Sequence, residues 1–112
     1  MEYTILIRYR FDRSWLQLSR AARQDFEETH IQPLFARYSD QVQARFFDAE
    51  AFHVEFTDFM LLTTKDLQAY YFLMEEIRDS ALVAEGYIHF TDISIGIEDG
   101  YKEFAAATEK EH

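Results

Sequence analysis

The sequence has no cysteine, which excludes a disulfide framework, a thiol nucleophile and any metal site with a cysteine ligand. It has one proline and three widely spaced glycines, so it contains neither a phosphate-binding loop nor a dinucleotide-binding fingerprint. No apolar run approaches the roughly 18 residues of a membrane-spanning helix, and no basic and apolar leader follows Met1. We therefore expect a soluble, cytoplasmic protein with no membrane partner.

Basic residues are also scarce. Eleven Lys and Arg residues stand against 21 Asp and Glu residues, which gives a formal net charge of −10. A phosphate backbone would meet net repulsion from such a chain, so we expect no nucleic-acid partner. The length of 112 residues is that of one domain, and 48% of the residues are hydrophobic, which is enough for a single core.

The hydrophobic periods follow the order strand, helix, strand, strand, helix, strand. Period-2 alternation predicts strands over residues 4–11, 41–48, 57–64 and 87–97. This order is that of the split βαβ unit, so we predict an α+β fold. The expected architecture is a ferredoxin-like βαββαβ sandwich, with a four-stranded antiparallel sheet and two helices on one face.

The first helical pattern has apolar positions that recur every four residues, which predicts one inward face: Leu18, Ala22, Phe26, His30, Leu34 and Tyr38. Pro33 lies inside this pattern and removes a backbone donor, so we expect a kink or a restart near residues 29–32. The second helix is predicted to begin after Asp66 as N-cap and to end before Gly86. Its predicted inward stripe is Leu67, Tyr70, Tyr71, Met74, Ile77, Ala81 and Leu82.

The predicted domain covers residues 1–101, and residues 102–112 form an acidic C-terminal arm or tail. Two helices cover only one face of a four-stranded sheet. In the last strand, we expect apolar groups on both faces, with Ile88 and Phe90 on one and Ile93, Ile95 and Ile97 on the other. The uncovered face would then be buried in a homodimer, which predicts a dimeric α+β barrel.

The chain resembles the darcynin family of small bacterial proteins. Short clusters in the same order, from the first strand to Tyr101, carry this resemblance: Trp15 with Leu18, Phe26, His30, residues 33–35, 47–48, 50–52, 57–59, 70–72, 78–80 and 96–101. The resemblance supports the predicted fold and implies no catalytic residue. More distantly, the layout is similar to that of dimeric α+β barrel proteins, which include cofactor-free monooxygenases, polyketide cyclases, lactone isomerases and haem proteins.

Three residues are candidates for catalysis. His30 or His53 could act as a general base, because a neutral imidazole in a dry pocket accepts a proton. The Tyr71 hydroxyl could donate a hydrogen bond to a developing oxyanion. The alternative is that each is structural, as a hydrogen-bonded core residue. Glu27 and His30 have the spacing of a di-iron carboxylate motif, but only one copy is present, so we expect no metal.

Six further residues are candidates for ligand binding. Four aromatic side chains could enclose a flat apolar ligand: Trp15, Phe47, Phe59 and Tyr70. Arg8 or Arg45 could bind a carboxylate or a phenolate, a bidentate task suited to guanidinium. The alternatives are an ordinary aromatic core and a salt-bridge network across the sheet.

These candidates lead to two hypotheses of different class. The first is a dimeric barrel that binds a small apolar or aromatic molecule, a site that would suit a cofactor-independent cyclase, isomerase or monooxygenase. The alternative is a non-catalytic protein-interaction or regulatory module. We expect no cofactor; haem binding through one histidine is a third class, for which the sequence has no specific signature.

Overall fold

The computed structural model describes residues 1–109, which form four strands and six α-helices. The strands are β1 (Tyr3–Phe11), β2 (Val42–Asp48), β3 (Asp58–Thr64) and β4 (Ile88–Gly96). The helices are α1 (Arg13–Leu16), α2 (Arg20–Phe26), α3 (Gln32–Arg37), α4 (Leu67–Asp79), α5 (Ala81–Ala84) and α6 (Gly100–Glu109). A π-helical turn, Glu27–Ile31, joins α2 to α3. No helix within these residues is long and apolar enough to cross a membrane.

The four strands form one antiparallel sheet in the order β2-β3-β1-β4. β1 and β3 are the central strands, and the helices before β2 and before β4 pack on the same face. This arrangement confirms the ferredoxin-like α+β fold and the four predicted strands.

The core lies between the sheet and α4. Its most deeply buried apolar side chains come from both layers: Ile5, Ile7, Leu62, Leu73 and Ile77. The strands supply alternate residues, so β3 is buried at every second position from Asp58 to Thr64. We call the side of the sheet that carries these residues the helix-facing side, and the opposite side the open face.

The π-helical turn lies where Pro33 predicted a kink. Pro33 has no N–H and its ring crowds the preceding turn, so a wider turn before it accommodates both effects. The turn inserts one residue into the helical repeat. As a result, Ile31 follows Phe26 on the inward side, while His30 is exposed. The prediction that His30 lies on the inward face is therefore wrong.

The buried stripe of α4 is shifted from the predicted one. Ala69, Leu73, Met74 and Ile77 are buried, whereas Tyr71 is 59% exposed. Successive helical residues diverge by about 100°, so Tyr70 and Tyr71 cannot both point inward. The prediction that Tyr71 points inward is wrong.

The C-terminal segment is helical over Gly100–Glu109, and the last three residues of the predicted arm lie outside the described residues. The rings of Tyr101 and Phe104 are exposed, so neither anchors the arm to the domain. With this helix the chain measures 62 Å along its longest axis and 18 Å along its shortest.

We expect Leu73→Ala to lower the free energy of unfolding by roughly 2 to 5 kcal/mol, the range for buried Leu truncations. Leu73 is 1% exposed, and its neighbour Phe72 is 47% exposed. Phe72→Ala is the matched control and should cost less than about 1 kcal/mol. Urea unfolding monitored by circular dichroism measures both, and equal losses would contradict this assignment of the faces of α4.

The Asp12 carboxylate caps α1 and also joins it to β4. It accepts hydrogen bonds from the Ser14 backbone N–H at 2.9 Å and from the Ser14 hydroxyl at 2.7 Å, and it lies 2.9 Å from the His89 ring nitrogen. The Ser14 backbone bond is the largest of the effects that hold the pKa of Asp12 below its usual range, followed by the His89 bond.

A carboxyl group whose pKa is lower in the folded protein than in the unfolded chain stabilises the fold at pH values above the ordinary carboxyl pKa. This stabilisation is lost as the pH falls through the lowered pKa. We therefore expect Asp12→Ala to lower the melting temperature by a few degrees at pH 7. The difference from the unmodified protein should shrink below about pH 4. Thermal unfolding at pH 7 and at pH 3 measures this, and a difference that grows in acid would contradict it.

Candidate functional site

The open face of the sheet is built from three cross-strand rows, each with one residue from β2, β3, β1 and β4. The strand registers give these rows as Phe47, Phe59, Arg8 and Asp92; Arg45, Leu61, Leu6 and Ser94; and Gln43, Thr63, Thr4 and Gly96. The helices lie on the other side, so this face has no cover within residues 1–109.

One half of the open face combines aromatic rings with a cation. The rings of Phe47 and Phe59 stack, with centroids 4.7 Å apart and planes 11° apart. The Arg45 guanidinium lies over the Phe47 ring at 5.2 Å. Arg45 is exposed and forms no salt bridge with any described carboxylate. It is therefore available to a negatively charged group that rests on the rings.

The other half centres on Arg8. Its guanidinium forms a salt bridge with Asp92 at 3.1 Å and lies 5.4 Å from the centroid of the Phe56 ring. The His53 ring stacks on the same Phe56 ring, with centroids 4.5 Å apart. The result is a continuous chain of contacts from an imidazole through a phenyl ring to a guanidinium and a carboxylate.

Two adjoining depressions follow these groups. One, of about 380 Å³, is lined by Leu6, Arg8, His53, Phe56, Phe59 and Asp92 among others. The second, of about 620 Å³, lies over Leu6, Arg45 and Leu61. Leu6 lines both, so they form one long, shallow concavity across the open face. The concavity is open to solvent, and its apolar floor is bordered by charged groups of both signs, which include the carboxylates of Glu55 and Asp92 in the first depression and of Glu2 and Glu98 in the second.

A β-bulge in β4 determines what this face carries. Arg8 pairs with Asp92 and Tyr9 pairs with Phe90, so Thr91 is an extra residue in the ladder. The bulge moves Asp92 to the open face, beside Arg8. It also places Ile93 and Ile95 opposite Ile7 and Ile5, on the helix-facing side. Ile93 and Ile95 therefore share the helix-facing side with Ile88, so the expectation that they lie on opposite faces is wrong; only at the end of β4 do Ile95 and Ile97 also border the second depression.

The connection between β2 and β3 brings His53 to the concavity. The connection is closed at its base, where the Ala49 N–H donates to the Thr57 carbonyl at 2.8 Å. Within it, the His53 N–H donates to the Ala49 carbonyl at 3.1 Å. The irregular sequence of this segment gave no sign that Phe56 would also reach the site, between His53 and Arg8.

The nine predicted site residues are thus divided between two sides of the sheet. Five lie on or beside the open face: Arg8, Arg45, Phe47, His53 and Phe59. Trp15, His30, Tyr70 and Tyr71 lie in the helical layer, so the structure does not bring them to the same site. The roles proposed for all nine remain predictions.

The helical-layer residues form a separate aromatic cluster. The Trp15 ring is buried and stacks on Phe11 at 5.3 Å, with Phe26 and Tyr87 edge-on to it. His30 contacts Phe26 from the solvent side, with ring centroids 4.7 Å apart. Tyr70 packs against the core, and burial raises the pKa of its hydroxyl. These contacts are those of an aromatic core edge, and a depression of about 510 Å³ lies beside Phe11 and Trp15.

Solved structures similar to this one include two kinds of protein. A heme-binding protein from Thermus thermophilus is 17% identical, with a TM-score of 0.77 over 91% of this chain and 43% of that one. A chlorite dismutase from Candidatus Nitrospira defluvii, in complex with imidazole, is 10% identical, with a TM-score of 0.74 over 85% of this chain and 39% of that one. The chain spans less than half of the length of each, and at these identities the likeness concerns the fold.

The residues of this chain do not fit a haem. Haem iron in proteins is commonly held by a histidine nitrogen in a pocket that shields the macrocycle. Each of the three histidines in residues 1–109 is exposed, and His53, which lines the concavity, lies flat on Phe56 instead of standing over an apolar slot. The His89 ring nitrogen lies 2.9 Å from an Asp12 carboxylate oxygen, within hydrogen-bond distance.

Curated relatives are more similar to this chain in sequence than these solved structures are. A darcynin from Chromobacterium violaceum is 40% identical over 68% of this chain and 95% of its own length. Darcynin 1 from Acinetobacter baumannii is 37% identical over 80% of this chain and 98% of its own length. Residues 2–109 match the family described as darcynin, a domain of unknown function. The chain therefore belongs to the darcynin family, as the resemblance of its short clusters predicted.

Proposed function

We propose that this protein binds a small aromatic or apolar molecule with an anionic group on the open face of its sheet, in a chamber that the open face of a second copy closes. The observation that carries the proposal is Arg45. It is an exposed cation with no carboxylate partner among the described residues, and it stands beside stacked phenyl rings.

The second copy is inferred from the apolar floor of the concavity. Leu6, Leu61, Phe47 and Phe59 are only partly covered in one chain, in the middle of a sheet face without helices. Apposition of two such faces would remove these side chains from water, at roughly 25 cal/mol for each Å² of apolar surface buried. A pair related by a twofold axis would also place two Arg45 side chains around one chamber.

Chemistry at this site would depend on His53. It is the one predicted base that lines the concavity, and it shares this space with Arg8. An anion held by Arg8 or Arg45 would present a neighbouring C–H or O–H to the imidazole, which favours proton transfer in a cyclisation or isomerisation. His30 and Tyr71 lie in the helical layer and take no part in this proposal.

Light scattering after size-exclusion chromatography tests the chamber. We expect the unmodified protein to be a dimer and Leu61→Glu to be a monomer, because a carboxylate in the central row would be buried opposite its copy. Phe72→Glu on the exposed side of α4 is the control and should remain a dimer. A monomeric unmodified protein, or a dimer that Leu61→Glu leaves intact, would contradict the chamber.

Fluorescence titration with 8-anilinonaphthalene-1-sulfonate, an aromatic anion, tests the role of Arg45. We expect Arg45→Gln to weaken binding by about tenfold or more, since a charge-assisted hydrogen bond contributes roughly 1.5 to 3 kcal/mol. Arg78→Gln removes the same charge from an exposed position on α4 and should leave the affinity unchanged. Equal affinities of the two variants would overturn the proposed anion site.

The salt bridge between Arg8 and Asp92 gives a further prediction. Both side chains are partly exposed, so the pair contributes less than about 1 kcal/mol to stability. Asp92→Asn should therefore leave the free energy of unfolding nearly unchanged. The same change frees Arg8 and should raise the affinity for the probe anion a few-fold, and an unchanged affinity would show that Arg8 does not face the ligand.

A protein-interaction module is the second candidate function. The exposed rings of Tyr101 and Phe104 on α6 favour it, because large apolar side chains on a projecting helix are typical of interaction surfaces. A stable dimer whose probe binding does not depend on Arg45 would favour this candidate over small-molecule binding.

A further inference from the structure

The concavity on the open face carries opposite charges at its two ends. At the β2 end, the Arg45 guanidinium lies over the Phe47 ring and forms no salt bridge with a described carboxylate. At the β1 and β4 end, the first depression is lined by Glu55 together with Arg8 and Asp92. A ligand that spans the concavity therefore meets a cation at one end and carboxylates at the other.

Glu55 supplies the carboxylate that is in excess at the second end. The Asp92 carboxylate is already compensated, because one of its oxygens accepts hydrogen bonds from the Arg8 guanidinium and from the Ser94 hydroxyl, each at 3.1 Å. Glu55 is exposed and forms no salt bridge with a basic residue within residues 1–109. It is therefore available to a cationic group, just as Arg45 is available to an anionic one.

Two other carboxylates border the concavity, those of Glu2 and Glu98, but they lie far from the Arg45 guanidinium. Thr4 pairs with Gly96 in the third row, and the two glutamates come two residues beyond that row. A strand rises about 3.3 Å for each residue, so roughly 20 Å separate Glu2 from the row that contains Phe47. This distance exceeds the Debye length of about 10 Å at 0.1 M salt. A ligand on the Phe47 ring therefore experiences Arg45 as a positive charge.

The part of the concavity between the two charged ends is aromatic. The stacked rings of Phe47 and Phe59 lie there, on β2 and β3. Glu55 shares its depression with residues of β1 and β4, so two to three strand spacings, about 10 to 14 Å, separate the ends. A flat body of two aromatic rings suits this length. If its far end were apolar, it would displace water from the Glu55 carboxylate without replacing the lost hydrogen bonds, which is unfavourable.

We propose that the ligand is amphoteric: a flat aromatic molecule with an anionic group that binds Arg45 and, at its other end, a protonated amine that binds Glu55. This inference rests on the proposed binding of a small molecule at the open face, and it names the class of that molecule. Glu55 then determines specificity, because it distinguishes an amphoteric ligand from an aromatic anion of the same shape.

Isothermal titration calorimetry with two matched compounds tests the inference. Biphenyl-4-carboxylate has the aromatic body and the anion, and 4′-(aminomethyl)biphenyl-4-carboxylate adds a protonated amine at the other end. We expect the unmodified protein to bind the second compound about tenfold more tightly or better, through a charge-assisted hydrogen bond to Glu55. Glu55→Gln should bring the two affinities close to each other. Glu75→Gln, which removes an exposed carboxylate from α4, is the matched control and should keep the full preference.

Arg45→Gln separates this inference from the proposed function on which it rests. It should weaken the binding of both compounds, since both present their carboxylate to Arg45. If both compounds bind through Arg45 with equal affinity, the amphoteric ligand is overturned and the anion site stands. A preference that Glu55→Gln leaves intact, in a variant whose circular dichroism spectrum is unchanged, would overturn the role of Glu55. If Arg45→Gln weakens neither compound, the proposed function fails, and this inference fails with it.

Discussion

Burial of one face of the two central strands against α4 is the constraint on which the rest of the structure depends. Ile5, Ile7 and Leu62 lose almost all contact with water there, and each such side chain contributes roughly 1.5 to 3 kcal/mol. The side-chain period of a strand is exactly two, so this burial also directs Leu6, Arg8 and their cross-strand neighbours to the other face. The core thus determines which side chains the open face carries, although those side chains contribute little to the core.

The same constraint explains which parts of the fold could be predicted from the sequence. Central strands alternate strongly because one of their faces is fully buried, and the positions of both central strands were predicted correctly. Five of the nine predicted site residues belong to these strands or to segments beside them, and they do lie on one face. Helical patterns are weaker guides: the stripe predicted for α4 included both Tyr70 and Tyr71, and because neighbouring helical residues diverge by about 100°, it could not place both correctly.

Two insertions of one residue account for the remaining errors. The π-helical turn moves His30 outward and Ile31 inward, and the bulge at Thr91 brings Asp92 beside Arg8. Pro33 marks the first insertion, because its missing donor and its ring require an irregular turn. The second has no comparable mark, since Thr91 is an ordinary strand residue. A single added residue changes a face completely, so such insertions have large effects on a predicted site.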